Sequence, residues 1–562
     1  MKYKKGIKGL IIPKPTEKRS EDLNPGAIEA WRNELPINNL KESLQSCHTL
    51  LKRLHQTQMP SEERLQVLSL LRPTVSYLCS ALDLYYKKNF LLNNQPIEIF
   101  NIMIALNLEL YSAYKLVLND IATLPNRKLS QFLEGIFLCL HQNCKIIFLS
   151  YDAYHKPPDL IWLEAHTLYA YAEELSLEDK PLNKELKIHS RFNTIADVYK
   201  HILLFVLTNP LRYHRSDMLK LYYSTETWAP YLSLIPNEKQ QNILFKVDIT
   251  KDMPPYYTAL EPSQSGIFYY LKLDRLLERI DRLLAYQDNP QQNPKNKFQA
   301  NELALPSYLL NMLLHIWQNF NQRRAVRRKS SGSKIVVVGL ENIYEHISQK
   351  SSQATQTKSI LNTDFEEIDL SAFPLPKDLS KFHSKEDQVI ECTIVDNSDT
   401  GYCFKYDTNQ CIALESGKIA ALLHEEEGCP PHWQLALIRW VQKSNSNNAL
   451  FGVEILSNHA LPAEFELKTL NKTESFKGLL VQQTVEKARH LLLITPPLNI
   501  SHDVELTILS PQKNKNEAHF QKKMSTFASF HCWEITFVKN TPHWISHTEK
   551  TLSSKTNPKD KG

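Results

Sequence analysis

Glycine is scarce in this 562-residue chain, which contains 13 of them. The phosphate-binding loops of many nucleotide-hydrolysing and dinucleotide-cofactor enzymes need glycines at fixed spacing, and neither G-x-x-x-x-G-K-[ST] nor G-x-G-x-x-G occurs. The serine-hydrolase string G-x-S-x-G, the zinc-protease string H-E-x-x-H and the deaminase strings are also missing. We therefore predict no catalytic residues and do not expect an enzyme.

Long apolar runs are lacking as well. Residues 1–10 are charged and contain no apolar segment of a secretion signal. No later run approaches the roughly 18 uninterrupted apolar residues that a membrane-spanning helix needs. We expect a cytoplasmic protein without membrane insertion. The net charge of +5 is small for this length and does not by itself indicate a nucleic-acid partner.

The nine cysteines form no disulfide framework, because their number is odd and their spacing is irregular. We predict reduced and mostly buried thiols. Cys429 and His432, with His424 nearby, lack a second Cys/His pair at the spacing of a zinc finger. We therefore predict no metal site and no cofactor.

Apolar residues make up 42% of the chain, enough for several hydrophobic cores, and the length suggests about three domains. The composition differs from one part of the chain to the next. These differences predict a flexible arm (1–26), an α-helical array (27–320), a β-barrel (321–460) with an insertion at about 345–388, a smaller C-terminal β-domain (461–542) and a disordered tail (543–562).

The helical array is indicated by apolar residues that recur every three or four positions. Examples are Leu65, Leu68, Leu71, Val75 and Leu78, and also Leu271, Leu273, Leu276, Leu277, Ile280 and Leu284. Breaks rich in proline and asparagine divide the region into helices joined by short turns, as antiparallel pairs require. Residues 162–172 and 196–200 resemble the helix pairs of tetratricopeptide repeats, which predicts a solenoid-like array.

After residue 320, short runs rich in Val, Ile, Thr and aromatic residues indicate strands. The first series comprises Lys334–Gly339, Glu391–Val395, Trp433–Trp440 and Leu450–Leu456. The second series comprises Gly478–Gln483, Leu491–Thr495, Val504–Leu509 and Trp533–Val538. Closely spaced short strands predict a barrel or sandwich for the first series, and the second series predicts a separate small β-domain.

A cationic cluster without any acidic residue marks the change from the helical to the β pattern. Two overlapping R-x-x-x-R registers run through it, Arg323 with Arg327 and Arg324 with Arg328. A guanidinium group can bind phosphate oxygens or the O6/N7 edge of guanine through two parallel hydrogen bonds and can stack on a purine. Two such groups suit a small, doubly phosphorylated purine ligand, and the sequence favours neither register.

A second motif, D-x-S-x-x-G, is formed by Asp396, Ser398 and Gly401 at the end of a β-run. The carboxylate and the hydroxyl can form hydrogen bonds with a guanine edge. The glycine permits the backbone conformation that a tight strand exit needs. Each residue type therefore has a chemical reason for its place in a nucleotide site.

The combination of R-x-x-x-R with a [DN]-x-S-x-x-G motif that leaves a strand resembles the two-part signature of PilZ domains. Gly417–Ala420, Ile438–Trp440 and Phe451–Leu456 then follow in the order of the remaining strands of that family. The resemblance covers residues 321–460 and implies a six-stranded antiparallel barrel that binds cyclic di-GMP. It implies ligand-binding roles for Arg323, Arg324, Arg327, Arg328, Asp396, Ser398 and Gly401.

Our hypothesis from the sequence is a cyclic di-GMP receptor whose helical array signals to a protein partner. The arginines lie where the array meets the barrel, so a ligand that captures them could change how the two are arranged. One alternative is a ligand-independent scaffold for protein interactions with a degenerate barrel. Another is RNA or DNA binding through residues 323–334, which would depend steeply on salt. Nucleic acid is the less expected partner.

Overall fold

The structure is a computed structural model that describes residues 7, 9–19, 21–88, 95–123, 128–183, 186, 191–236, 243–260, 266–289, 298–319, 327–350, 389–407, 414–425, 432–444, 448–468, 472–485, 488–498, 504–509, 514–527 and 529–539. The chain forms two compact units. The helical unit comprises Met1–Pro210, Asp217–Gln322 and Glu366–Phe382. The β unit comprises Leu211–Ser216, Arg323–Phe365 and His383–Gly562.

Helices make up most of the first unit, and several of them pack against a neighbour in the chain. Their bounds are α1 (Pro25–Glu34), α2 (Leu40–Gln56), α3 (Ser61–Lys88), α4 (Gln95–Thr123), α5 (Leu129–Asp152), α6 (Ile161–Glu174), α7 (Ile195–Leu207), α8 (Arg215–Trp228), α9 (Asp274–Asp288), α10 (Ala300–Leu303) and α11 (Ser307–Gln318). A reciprocal pair of hydrogen bonds between Thr194 and Asp197 caps the start of α7. The predicted helical array is confirmed.

Helix α5 provides much of the core of this unit, since 14 of its 24 residues are buried. Among the described helices it is the one that is long and apolar enough to cross a membrane. However, 67% of its most apolar window is buried inside the protein. Such burial is expected of a helix that packs against other helices on several sides.

A four-stranded antiparallel sheet lies within the region that the sequence predicts to be helical. Its strands are β1 (Ser233–Pro236), β2 (Phe245–Asp248), β3 (Tyr256–Tyr257) and β4 (Phe268–Lys272), in the order β1-β4-β2-β3. The sequence predicts one helix whose apolar face begins at Leu271. The structure confirms this helix from Asp274, the start of α9, where Leu276 and Ile280 are buried. Leu271 belongs to β4 instead. The preceding Phe-Tyr-Tyr run is of the kind that favours strands.

The N-terminal segment packs against the helical unit. Leu10 is buried, and the backbone N–H of Ile11 donates to Glu164 Oε1 at 3.0 Å. Further along, Glu17 and Thr57 form a parallel β-bridge. The composition of residues 1–26 predicts a flexible arm, but the described part of that segment is anchored. Single apolar side chains and backbone hydrogen bonds hold it, and neither leaves a clear mark in composition.

The β unit begins with a barrel. Its elements are β5 (Arg328–Lys329), β6 (Ser333–Val338), α12 (Leu340–Lys350), β7 (Val389–Ser398), β8 (Gly401–Asp407), β9 (Ile419–His424), β10 (His432–Lys443) and β11 (Asn448–Ser457). The strand order is β5-β7-β6-β9-β10-β11-β8, and a further pairing of β7 with β8 closes β6 to β11 into a ring of six antiparallel strands. The predicted six-stranded barrel is confirmed. The insertion predicted at about 345–388 begins within α12, and residues 351–388 lie outside the described residues.

A second closed barrel follows. It contains β12 (Ala460–Lys468), β13 (Thr473–Val485), β14 (Ala488–Thr495), β15 (Glu505–Leu509), β16 (Lys515–Thr526) and β17 (His531–Phe537), in the order β12-β13-β14-β17-β16-β15. Sequence reasoning finds this β-domain but misses β12 and β16. Strand β16 has Ala518 as its one fully buried residue, so it carries little of the apolar pattern that marks a strand. The predicted tail, 543–562, lies outside the described residues.

Candidate functional site

The arginine-rich segment lies alongside the strand that carries the second motif. Arg328 and Lys329 form the short strand β5, which pairs antiparallel with the end of β7. In this register Arg328 is opposite Asn397 and Lys329 is opposite Asp396. Two segments that are about 70 positions apart in the sequence therefore meet on one sheet edge.

An ion pair joins the two motifs directly. Arg327 Nη1 donates to both carboxylate oxygens of Asp396, at 2.9 and 3.1 Å. The two side chains keep 33% and 23% of their surface exposed. Because water reaches the pair, its attraction is screened and the net stabilisation is small. Another anion or hydrogen-bonding group can therefore compete for either partner at little cost in folding free energy.

A β-bulge in β7 decides which way Asp396 faces. Ile394 pairs with Phe404, but the next pair joins Asp396 to Cys403, so Val395 is an extra residue. Residues directly opposite in an antiparallel pair share a face, and Phe404 is fully buried in the barrel. The extra residue shifts the alternation by one and places Asp396 on the opposite, outward face.

The remaining two motif residues form the end of the β7–β8 hairpin. Ser398 and Gly401 are the last pair before a two-residue turn, and Ser398 Oγ is 3.4 Å from the carbonyl oxygen of Gly401. The φ of Gly401 is not in the left-handed region, so the expected reason for this glycine is wrong. Its role is close approach: a Cβ at this position would collide with the carbonyl oxygen of Val453 in β11.

Arg328, the other described arginine of the segment, is a largely exposed cation. The Arg328 side chain is 75% exposed and its Nη2 lies 4.0 Å from Asp399 Oδ1, whose side chain is 85% exposed. Together with Arg327 and Lys329 it places three cations beside two carboxylates. The other two predicted arginines, Arg323 and Arg324, lie outside the described residues.

On the other face of the hairpin lies a group that sequence reasoning did not single out. Tyr402 is opposite Asn397, and Lys334 Nζ lies 5.4 Å from the centre of the Tyr402 ring. Lys334 Nζ also lies 3.4 Å from the carbonyl oxygen of Leu423. Partial burial lowers the pKa of Lys334 and raises that of Tyr402. In the sequence, Tyr402 could have been selected as a site residue because it directly follows Gly401 of the D-x-S-x-x-G motif.

The closing hairpin of the barrel also contains paired charges and a close contact. Arg439 donates to Glu454 across the β10–β11 pair. The indole of Trp440 lies so near Gly452 that a Cβ there would collide with it. These contacts explain the residues of the I-R-W and G-V-E-I-L segments as packing of the hairpin. Within the described part of the chain, no three His, Cys, Asp or Glu side chains gather as a metal site.

Comparisons with known proteins cover most of the chain. Residues 26–238 match a family model described as the N-terminal domain of the cyclic-di-GMP receptor FimW. Residues 244–372 and 349–462 match a model described as the middle PilZ domain of the same receptor. The cyclic-di-GMP receptor FimW of Pseudomonas aeruginosa is 23% identical over 584 aligned positions, which cover 95% of this chain and 94% of that protein. The resemblance to PilZ-domain proteins that the two motifs indicate is thereby confirmed.

Proposed function

This chain belongs to the FimW family of PilZ-domain proteins, and from that premise we propose that it is a receptor for cyclic di-GMP, which it binds on the edge formed by β5 and the β7–β8 hairpin. The observation that carries the proposal is the antiparallel pairing of the arginine segment with the D-x-S-x-x-G strand. That pairing supports a pocket at the sheet edge, which Arg327 and Asp396 border on one face and Arg328 borders on the other. The role is that of a binding protein and not of an enzyme.

In the proposed mode of binding, Arg328 and Arg324 form the hydrogen bonds to the phosphates and a guanine of the ligand. Arg328 is largely exposed, whereas Arg327 already directs its guanidinium group at Asp396. This difference favours the Arg324/Arg328 register for contact with phosphate oxygens and guanine edges. Asp396 and Ser398 then accept or donate hydrogen bonds at the second guanine edge. Arg327 acts as a positioning residue that holds the carboxylate of Asp396 in place.

The experiment is isothermal titration of the full-length chain with cyclic di-GMP. Arg324→Ala, Arg328→Ala and Asp396→Ala should each weaken binding about 10- to 100-fold, because each removes a charge-assisted hydrogen bond of about 1.5–3 kcal/mol. Arg328→Lys keeps the charge and loses the planar donor fork, so most of the loss should remain. Lys468→Ala is the matched control, because it removes an exposed cation of the second barrel.

Three results would contradict the proposal in different ways. A wild-type chain without affinity for cyclic di-GMP would favour the ligand-independent scaffold. Unchanged affinity in Arg324→Ala, Arg328→Ala and Asp396→Ala together would place the ligand elsewhere. A steep salt dependence with preference for RNA or DNA over the cyclic dinucleotide would indicate nucleic-acid binding. Circular dichroism of each variant separates loss of binding from loss of fold.

We further propose that binding is passed to a protein partner through the helical unit. The arginine segment follows α11 in the chain and precedes β6, so a ligand held by these arginines would act on the covalent connection between the helical unit and the barrel. Exposed apolar side chains on α8, Leu219 and Tyr223, are one turn apart and are suited to a partner surface.

Hydrogen exchange with and without cyclic di-GMP tests the first step: residues 320–332 should exchange more slowly with ligand. Equal exchange rates would contradict the coupling.

A further inference from the structure

The two barrels of the β unit have the same strand connectivity. When the strands of each barrel are numbered 1 to 6 in chain order, the first barrel pairs 1 with 2, 2 with 3, 3 with 6, 6 with 5, 5 with 4 and 4 with 1. The second barrel has the same six pairings. All twelve pairings are antiparallel. Long hairpins between strands 5 and 6 contain register shifts in both barrels.

The second barrel lacks both parts of the ligand-binding signature. In both barrels the hairpin of strands 2 and 3 ends in a two-residue turn. Aligned on this turn, the second barrel has Gln483, Val485 and Ala488 where the first has the D-x-S-x-x-G residues. No arginine segment precedes its first strand, because two residues, Asn458 and His459, separate β11 from β12.

The outer face of β13 in the second barrel is used for packing against the first barrel. Leu479 and Val481 of β13 are buried outside the interior of their own barrel, where Leu480 lies. The cluster that they join contains seven apolar residues of the first barrel, namely Val337, Ile419, Ala421, Leu423, Trp433, Leu435 and Leu437.

This packing buries the strands of the first barrel on both faces. In β9 every residue from Ile419 to Leu423 is buried, and in β10 the same is true from Trp433 to Ile438. A barrel strand with one face in water would bury every second residue. Without the second barrel, an apolar patch built from three neighbouring strands would face water, which soluble proteins avoid.

We propose that the second barrel is a duplicated PilZ-type barrel that binds no cyclic dinucleotide and instead covers the apolar outer face of the first. Each chain then has one class of dinucleotide site, at β5 and the β7–β8 hairpin. The part of this inference that concerns binding rests on the proposed function. The part that concerns the cover does not, because it follows from burial and connectivity alone.

The binding part is tested with the double variant Arg328→Ala/Asp396→Ala in the full-length chain. Titration with cyclic di-GMP should show no residual high-affinity binding, and native mass spectrometry should show no retained ligand. Residual binding at the wild-type affinity would reveal a second site and overturn the inference. A wild-type chain that does not bind at all refutes the proposed function instead, so the two failures are distinguishable.

The covering part is tested by hydrogen exchange with Val481→Asp, which puts a charge into the contact between the barrels. Amides of β9 and β10 should exchange severalfold faster than in the wild type, although Val481 belongs to neither strand. His519→Asp adds the same charge at an exposed position of the second barrel and should leave them unchanged. If Val481→Asp does not fold, Val481→Ala provides a milder version. Unchanged exchange of β9 and β10 in the folded Val481 variant would overturn the inference.

Discussion

The ion pair Lys115–Glu164 of the helical unit and the pair Arg327–Asp396 of the β unit have similar distances and very different surroundings. Lys115 Nζ lies 2.8 Å from Glu164 Oε1, and the side chains are 8% and 5% exposed. Arg327 lies 2.9 Å from Asp396, with 33% and 23% exposed. In the first pair, Glu164 Oε1 also accepts a hydrogen bond from the backbone N–H of Ile11, which holds the N-terminal segment against the helices. The second pair can exchange its partners.

Burial decides what each pair can do. Removing one partner of a buried pair leaves an uncompensated charge in a low-dielectric interior, which costs far more than the pair contributes in net terms. Removing one partner of an accessible pair lets water take its place. We infer that the helical pair maintains structure, whereas the barrel pair is available for recognition. The following experiments test this contrast, from the largest expected effect to the smallest.

Lys115→Ala should destabilise the helical unit by about 3–5 kcal/mol, because Glu164 would remain buried and unpaired. Urea unfolding followed by circular dichroism measures the loss. Lys272→Ala is the control, since Lys272 and its partner Asp274 are 46% and 66% exposed, and this substitution should change stability by about 0.5 kcal/mol or less. Equal effects of the two substitutions would remove the distinction between buried and accessible pairs.

Acid should weaken the helical unit through His166, whose pKa burial lowers to about 4. Its Nδ1 lies 2.7 Å from the hydroxyl of Tyr199 and its Nε2 3.0 Å from the carbonyl oxygen of Met253. Between about pH 6.5 and pH 4 the unfolded chain binds a proton that the folded chain does not, so stability falls as pH falls, by about 3 kcal/mol in all. Urea midpoints at pH 7 and pH 4.5 measure it, and His166→Gln should reduce the acid loss. An unchanged acid loss in His166→Gln would contradict the assignment.

Arg327→Ala should change the free energy of unfolding by about 1 kcal/mol or less, yet weaken cyclic di-GMP binding about tenfold. The loss of affinity arises because Asp396 is no longer held in place. Arg327→Lys should restore part of the affinity, since a lysine can still reach the carboxylate. A large loss of stability in Arg327→Ala would mean that this pair is structural, like the helical one.

The smallest effect is expected for Lys468→Ala. Lys468 and Glu505 of the second barrel lie 3.0 Å apart with 63% and 72% of their side chains exposed. Stability should change by about 0.5 kcal/mol or less, and cyclic di-GMP affinity should not change. A clear loss of affinity in this variant would place a ligand contact on the second barrel and contradict its proposed role.

Local pattern was sufficient for much of the fold. The three- to four-residue spacing that starts at Leu65 appears in α3, and the run from Trp433 to Trp440 appears in β10, because amphipathic elements carry their own period. The sheet around Phe268 and strand β16 escaped prediction. The residues of these strands pair and pack with residues that are distant in the sequence, so a window of about ten positions does not show the pattern.

For the site, the sequence by itself determined which residue types are present and that two motifs belong together, since an R-x-x-x-R segment and a D-x-S-x-x-G strand exit are visible as strings. Tertiary structure alone decided that β5 lies against β7 and that the bulge at Val395 turns Asp396 outward. It also decided that Gly401 is needed for the approach of β11. The physical reason is that pairing register, facing direction and backbone separation are properties of two strands together, and neither strand encodes them alone.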